Sequence, residues 1–284
     1  MSEPETRYAY DTPVASAASP ADGLPLPQVV GVVGRGRAGT ALARALRATG
    51  TTVHGPLGRN ESTAAGTVLL CVPDAEIVAA AAALPACPGS IRFVGHVSGA
   101  TQLTALEPAR RAGAEVFGLH PLQTFPGDGE PILAGAGCAI AGSGPAALAR
   151  ARELAERLGM TAFEINDSDR AGYHAAASIA SNFLVTLEAA AETVAADAGF
   201  APGEARALLA PLVRQTVENW AAQGPEAALT GPVARGDATT VAAQRAAVAE
   251  ADASLLPLFD ALVERTEALA TLRDADKAPL EVAA

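Results

Sequence analysis

One stretch constrains this chain more than any other: Gln28 to Gly50, QVVGVVGRGRAGTALARALRATG. Gln28 to Val33 is short, β-branched and nearly all apolar, as a buried parallel strand must be. The turn Gly34-Arg35-Gly36-Arg37-Ala38-Gly39 comes next, then an alanine- and leucine-rich run that Gly50 stops. Strand, glycine turn and helix together form the first unit of a dinucleotide-binding fold. Gly34 permits the tight turn, Gly36 lets the backbone approach a pyrophosphate, and Gly39 lets helix and strand pack closely. The helix N-terminus offers its N–H groups and positive dipole end to the phosphates.

The alternation of strand and helix recurs down the chain. The spacing predicts strands over 29–33, 51–54, 67–72, 91–97, 115–119, 137–141 and 162–165. Helices are predicted over 38–49, 74–84, 101–112 and 145–159, with Asp74 as a cap. Residues 28–165 thus read as an α/β domain with a mainly parallel sheet. From 166 to 275 the periodicity is helical, with no strand-like alternation. Asp167 or Ser168 caps one long helix ending at Gly199, Pro202 starts a second reaching about residue 223, and two more run over 238–250 and 253–272. This is an all-helical second domain for substrate binding and dimerisation, its alanine faces suited to close packing in a homodimer. Residues 1–27 read as a disordered leader and 276–284 as a tail.

Composition narrows the partners. A net charge of −11 excludes nucleic acid and anionic membranes, both of which need a basic face. The longest uncharged run, Pro131 to Ala149, is broken by glycines and is no membrane helix. The three cysteines, Cys71, Cys87 and Cys138, have no metal-like spacing, so no metal site is expected. They read as reduced thiols, and Cys71 and Cys138 as buried apolar residues. No signal peptide is visible, so the expected location is the cytoplasm. Lys277, in the tail, is the only lysine, which limits the candidate proton donors.

The place where NAD-binding folds carry an acid, roughly 20 residues past the glycines, reads His54-Gly-Pro-Leu-Gly-Arg59 here, with no carboxylate before Glu61. Arg59, with Arg35 and Arg37 of the glycine turn, suits the 2′-phosphate of NADP; otherwise Arg59 is a solvated loop charge. Val72-Pro73, His96-Val-Ser98-Gly99 and His120-Pro-Leu-Gln-Thr-Phe125 end three strands where such sheets bind ligands. Val72, Pro73, His96 and Ser98 are therefore expected at the cofactor. His174, Ser178 and Asn182 recur at helical spacing, with Ser181 close by, as a polar stripe on an alanine-rich helix. Burying such a stripe unpaired is costly, so it faces water, a partner or a ligand. His174 and His120 are the candidate acid–base groups; a hydrogen-bonded stripe without chemistry is the alternative. In the loop Leu229 to Asp237, Thr230 and Arg235 can hold a carboxylate, or Asp237 caps the next helix and Arg235 pairs with an acid. His54 reads as structural.

Taken together, Gly34-x-Gly36-x-x-Gly39, His96-x-Ser98-Gly99, His120 to Phe125, Tyr173-His174 to Ser181-Asn182, and Leu229-Thr-Gly-Pro with Arg235-Gly-Asp237 resemble one family. These are the bacterial oxidoreductases with a Rossmann-like domain followed by a C-terminal domain of unknown function. More distantly they are similar to ketopantoate reductase, 6-phosphogluconate dehydrogenase and pyrroline-5-carboxylate reductase. Against ketopantoate reductase, His174 stands where the catalytic lysine would be, Ser178 replaces an asparagine, and Asn182 matches a second one. The resemblance implies an NADPH-dependent reduction of a small carbonyl substrate, 2-dehydropantoate first. In it, His174 or His120 gives the proton, Ser178 and Asn182 orient the carbonyl, and Thr230, Arg235 and Ser181 hold the substrate. Reduction of a cyclic imine and non-catalytic NADP binding are the alternatives.

Overall fold

The computed structural model describes residues 29–59, 61–63, 65–85, 90–126 and 131–276. The expected leader, Cys87, Lys277 and the tail beyond residue 276 lie outside the described residues. The chain divides into two compact units, with the boundary after Ala175.

In the first unit seven strands form one sheet: β1 (Val29–Val33), β2 (Thr52–Leu57), β3 (Thr67–Leu70), β4 (Phe93–His96), β5 (Glu115–Pro121), β6 (Gly137–Gly142) and β7 (Thr161–Glu164), in the order β2-β1-β3-β4-β5-β6-β7. All neighbours run parallel except β5 and β6, which are antiparallel. The chain therefore winds one way from β1 to β2 and the other way from β3 onward. The reversal leaves a crevice at the carboxyl ends of β1 and β3.

Strand residues alternate between the two faces, as period two requires. Val30, Val32, Leu69, Phe93, Phe117 and Leu119 pack under α1 (Arg37–Ala48) and α4 (Pro145–Arg157), against Leu42, Leu46, Ala151 and Leu154. Val68, Leu70, Val94 and Val116 pack under α2 (Ile77–Ala82) and α3 (Glu107–Arg111), against Ile77, Ala81, Leu106 and Ala109. Cys71 and Cys138 are buried free thiols within the α1/α4 layer, pushed up to about 12 by desolvation. Fully burying each large aliphatic side chain stabilises by about 1.5–3 kcal/mol, so this double layer is a rigid base for the loops above it.

Helix α5 (Arg170–Ala180) crosses the unit boundary. The second unit contains α6 (Asn182–Asp197), α7 (Pro202–Gln223), α8 (Pro225–Ala228), α9 (Ala238–Asp252) and α10 (Leu256–Asp276). The expected single helix from 167 to 198 is instead two. Ser181 takes the non-helical angles φ −122°, ψ −69° between α5 and α6, while its amide still donates to Ala177 and its carbonyl still accepts from Val185. Ser178 and Asn182, four residues apart, therefore lie on different helices rather than one turn apart on a single one. Within this unit α6 packs on α7 and α9, and α9 on α10. Two paired contacts join them: Arg206 to Glu192 at 2.7 and 2.8 Å, and Arg245 to Asp260 at 2.7 and 2.8 Å. Among the described residues of this unit, Ala205, Ala234, Val248 and Ala270 are the buried apolar ones, while Phe183, Leu208, Leu212 and Trp220 are exposed.

Candidate functional site

The glycine turn takes the shape its sequence requires. Gly34 has φ +118°, and a Cβ there would lie 2.1 Å from the Cys71 carbonyl oxygen. A Cβ on Gly39 would lie 2.0 Å from the Gly34 oxygen, so helix and strand touch through hydrogen alone. Gly36 precedes α1 in extended backbone, and a Cβ there would meet nothing within 4 Å. Its open side faces a cleft of about 580 Å³, lined by Gly34 to Gly36, Leu57 to Arg59, Val72, Pro73 and Glu76. No acid occupies the first turn of α1, so its amide end is free to take an anion. Gly34, Gly36, Val72 and Pro73 of the expected set line this cleft, and Gly39 packs against Gly34 beside it.

The cations at its rim are engaged. Arg35 donates to the Pro56 carbonyl oxygen at 3.3 Å and to Glu61 at 2.5 Å; Glu61 also accepts from the Gly58 amide at 3.0 Å. The Gly58 amide and Arg35 hold the Glu61 carboxyl below the usual carboxylate range. Arg59 pairs with Glu76 at 3.2 Å, and Arg37 is exposed on the first turn of α1. An acid therefore does fold back to the end of β2, although it lies past the position where the sequence pattern seeks one.

A histidine cluster is built from the loop after β4, from β5 and from α5. His120, near the end of β5, has Nδ1 2.7 Å from the Tyr173 hydroxyl, and its ring centroid is 5.9 Å from that of His174. Both imidazoles close on Gly99, where a Cβ would lie 2.5 Å from the His174 ring and 2.8 Å from that of His120. Burial first, then His174 and Arg170, push His120 down to about 4. Burial pushes the Tyr173 hydroxyl up, so it keeps its proton. A protonated phenol can donate to Nδ1 or accept from it; when it donates, the proton of His120 sits on Nε2, which is turned to Gly99.

His96 is expected at the cofactor but is fully buried, with neither ring nitrogen hydrogen-bonded. Desolvation, then Arg170, push it down to about 4, so it is neutral. Ser98 is also buried, donating to Asp74 at 2.8 Å and accepting from the Thr101 amide at 3.0 Å. Asp74 therefore does not cap its helical turn, which has no side-chain cap; its carboxylate serves the Ser98 loop. Asp167 likewise takes the Leu103 amide at 2.9 and 3.1 Å and Arg170 at 2.7 Å instead of capping α5. His54 is exposed on β2, its Nδ1 3.3 Å from Thr63 Oγ1.

Sequence reasoning passed over Tyr173, Arg170 and Asp167. The signal was present: Arg170 is one turn before His174 and three residues after Asp167, so the three share a helical face. In the second unit, Ser178 is half-buried on α5, Ser181 sits at the helix break, and Asn182 is exposed at the start of α6. Thr230 and Arg235 are exposed in the loop before α9, where Asp237 caps the helix by accepting from the Thr240 amide at 3.1 Å.

A Rossmann-like α/β unit with a glycine-turn cleft, followed by a helical unit, defines the class of this protein by its fold. The sequence model of a domain of unknown function, DUF2520, matches residues 136–266, from β6 into α10. No curated protein matches the chain. Of solved structures, a proposed NADP oxidoreductase from Bacteroides fragilis is 18% identical with a TM-score of 0.70, over 84% of this chain and 97% of that one. A Thermotoga maritima protein is 21% identical with a TM-score of 0.66, over 88% and 100%. The pyrroline carboxylate reductase of Plasmodium falciparum, solved with NADP bound, is 12% identical with a TM-score of 0.58, over 87% and 100%. Likeness at such identities establishes the fold.

Proposed function

We propose that this protein is an NADP-dependent oxidoreductase that reduces a small substrate bearing a polarised C=N bond, with a C=O bond as the second reading. One observation carries it: a Tyr173–His120–His174 cluster converging on Gly99 in the same α/β unit as the glycine-turn cleft. The solved pyrroline carboxylate reductase with NADP, built on the same fold, supports both cofactor and reaction class.

The residues present fit the cofactor. The amide end of α1 and the open Gly36 take a pyrophosphate, while Arg35 and Arg59 at the end of β2 take a 2′-phosphate once drawn from Glu61 and Glu76. Bound NADPH supplies the hydride. The protein's own share is positioning and polarisation. His120, neutral down to about 4, offers an Nε2–H hydrogen bond rather than an imidazolium proton. A neutral imidazole can polarise an electrophile in this way. A protonated imine brings its own proton and asks nothing more; a ketone needs a full proton donor, which this environment disfavours. That contrast puts the imine ahead of 2-dehydropantoate, the first choice from sequence resemblance.

The protein works as a homodimer in the cytoplasm. A helical unit that buries only three alanines and one valine among its described residues, and exposes Phe183, Leu208, Leu212 and Trp220, lacks a core of its own. A second copy of the unit supplies the missing cover.

NADPH oxidation against a panel of cyclic imines and 2-keto acids, 2-dehydropantoate included, tests the reading. Turnover of imines above keto acids is expected. Turnover of 2-dehydropantoate alone selects the second reading, and tight NADPH binding without oxidation of any substrate overturns both.

A further inference from the structure

Beneath the histidine cluster lies a buried cation that the proposed chemistry does not use. Arg170, at the start of α5, has 0% exposure. Its Nε donates to Asp167 at 2.7 Å and its Nη1 to the Ser98 carbonyl oxygen at 3.3 Å, while Nη2 has no hydrogen-bond partner. The guanidinium lies flat on β5 because residue 118 is glycine; a Cβ there would sit 2.0 Å from Nη2. A buried charge that keeps one arm unsatisfied is expensive, and a helix needing only an anchor would take an apolar residue here.

We propose that Arg170 is the positioning residue of this site: bonded to Ser98 and, through Asp167, to the Leu103 amide, it holds the first turn of α5 so that Tyr173 and His174 meet His120 at Gly99. The three segments it joins come from far apart in the chain, and each carries part of the cluster. Loop 98–103 brings Gly99, β5 brings His120, and α5 brings Tyr173 and His174. Remove the guanidinium and Asp167 loses its counter-charge while the Ser98 carbonyl loses its donor, so the two faces of the cluster lose their common tie.

The same cation has an electrostatic consequence. His120 faces Arg170, Tyr173 and His174 on α5, His96 on β4, Asp74 beyond β3 and, across the antiparallel pair, β6 with Cys138 beside Pro121. Asp74 favours a charged imidazole; Arg170 and His174 oppose it. Burial is the largest cause of the neutrality of His120, and Arg170, the permanent positive charge in that set, adds to it. This role does not depend on which substrate the site reduces, or on whether it reduces one.

The test is a pH titration by NMR of the full-length protein carrying ¹⁵N-histidine, without cofactor, each of its four histidines assigned by its own substitution. The wild type should show His120 locked as the Nε2–H tautomer and neutral to about pH 4. In Arg170→Met the His120 midpoint should rise, and the tautomers should average. Arg170→Lys keeps the charge but cannot reach both partners, so the midpoint should stay low while the tautomer lock is lost. Gly118→Ala displaces the guanidinium without removing it and should also release the lock. If Arg170→Met does not fold, the other two variants decide. A His120 that keeps its midpoint and its single tautomer in every folded variant overturns the proposal. Because no turnover is read, this result stands apart from the fate of the reductase reading.

Discussion

Tyr173 and His120 are 53 positions apart in the chain and 2.7 Å apart in space, hydroxyl oxygen to Nδ1. Their rings meet edge to face at 5.5 Å and 90°. The pairing commits one ring nitrogen to the phenol and leaves the other, Nε2, turned to Gly99; it carries the imidazole proton in the tautomer in which the phenol donates. The pair also links β5 to α5.

Tyr173→Phe therefore removes one hydroxyl and leaves the ring stack. His120 is then free to exchange tautomers, and its Nε2–H is present only part of the time. We expect kcat on the best imine substrate to fall roughly ten-fold or more, within the range for losing a positioned acid–base group. The NADPH dissociation constant, read by fluorescence, should be unchanged. Equal kcat in the variant would remove the pair from the chemistry.

Gly99→Ala tests the convergence point itself. The added methyl would lie 2.5 Å from the His174 ring and 2.8 Å from that of His120, closer than any real contact. The rings must separate, at a strain cost of about 1–3 kcal/mol, and the polar gap between them is filled with carbon. Turnover should fall at least as far as in His174→Ala, with NADPH affinity retained in both. A Gly99→Ala protein as active as the wild type would show that nothing reacts between these rings.

Much of this was legible in the sequence. Seven apolar, β-branched runs predict the seven strands that form, because parallel strands buried on both faces leave an unbroken hydrophobic mark. The glycine turn was legible because three separate steric demands fall on three positions. The break at Ser181 was not, since nothing in an alanine-rich run of that kind marks a single residue for non-helical angles. Asp74 and Asp167 look like caps in one dimension. In three they answer Ser98, Leu103 and Arg170, partners that only the sheet brings near. Arg170 was passed over for a related reason, although its helical spacing from His174 was there to read: charge reads as surface until a glycine on another strand opens a place for it.

Acid should destabilise the fold in a defined window. An unfolded imidazole titrates near 6.5, whereas folded His96 and His120 stay neutral to about 4. Between these values the unfolded chain binds protons that the native state does not, so stability falls as pH drops. It is complete above pH 6.5, and the loss levels off below about 4. Each histidine contributes a slope of about 1.4 kcal/mol per pH unit. Urea denaturation at pH 7, 6 and 5 should show this slope, and His96→Phe should reduce it by about half. A flat profile across pH 5–6.5 would show that neither imidazole is held neutral.

The helical unit makes its own prediction. Leu208 and Leu212 are one turn apart on α7, and both are exposed at 58% and 64%. Covering two such side chains stabilises by about 3–6 kcal/mol in all, enough to matter for association. Sedimentation of the wild type should give a dimer, and Leu208→Glu with Leu212→Glu should give a monomer or a protein that unfolds at lower temperature. A wild type that sediments as a monomer at micromolar concentration sinks the dimer.

At the other end of the site, the choice of cofactor rests on one exposed pair. Arg35 reaches Glu61 at 2.5 Å, and Glu61 is held by the Gly58 amide at 3.0 Å. A 2′-phosphate would compete with that carboxylate for Arg35, whereas a ribose hydroxyl would donate to it. Glu61 therefore favours NADH and Arg35 favours NADPH, and the sum decides. Arg35→Ala should weaken NADPH by roughly ten-fold or more, the worth of a charge-assisted hydrogen bond, and leave NADH nearly unchanged. Glu61→Gln should tighten NADPH and loosen NADH, because it frees the arginine and removes the acceptor's charge. Dissociation constants for both nucleotides in the three proteins settle the matter: if the wild type prefers NADH, or if Glu61→Gln moves both in the same direction, the rim arginines do not read a phosphate.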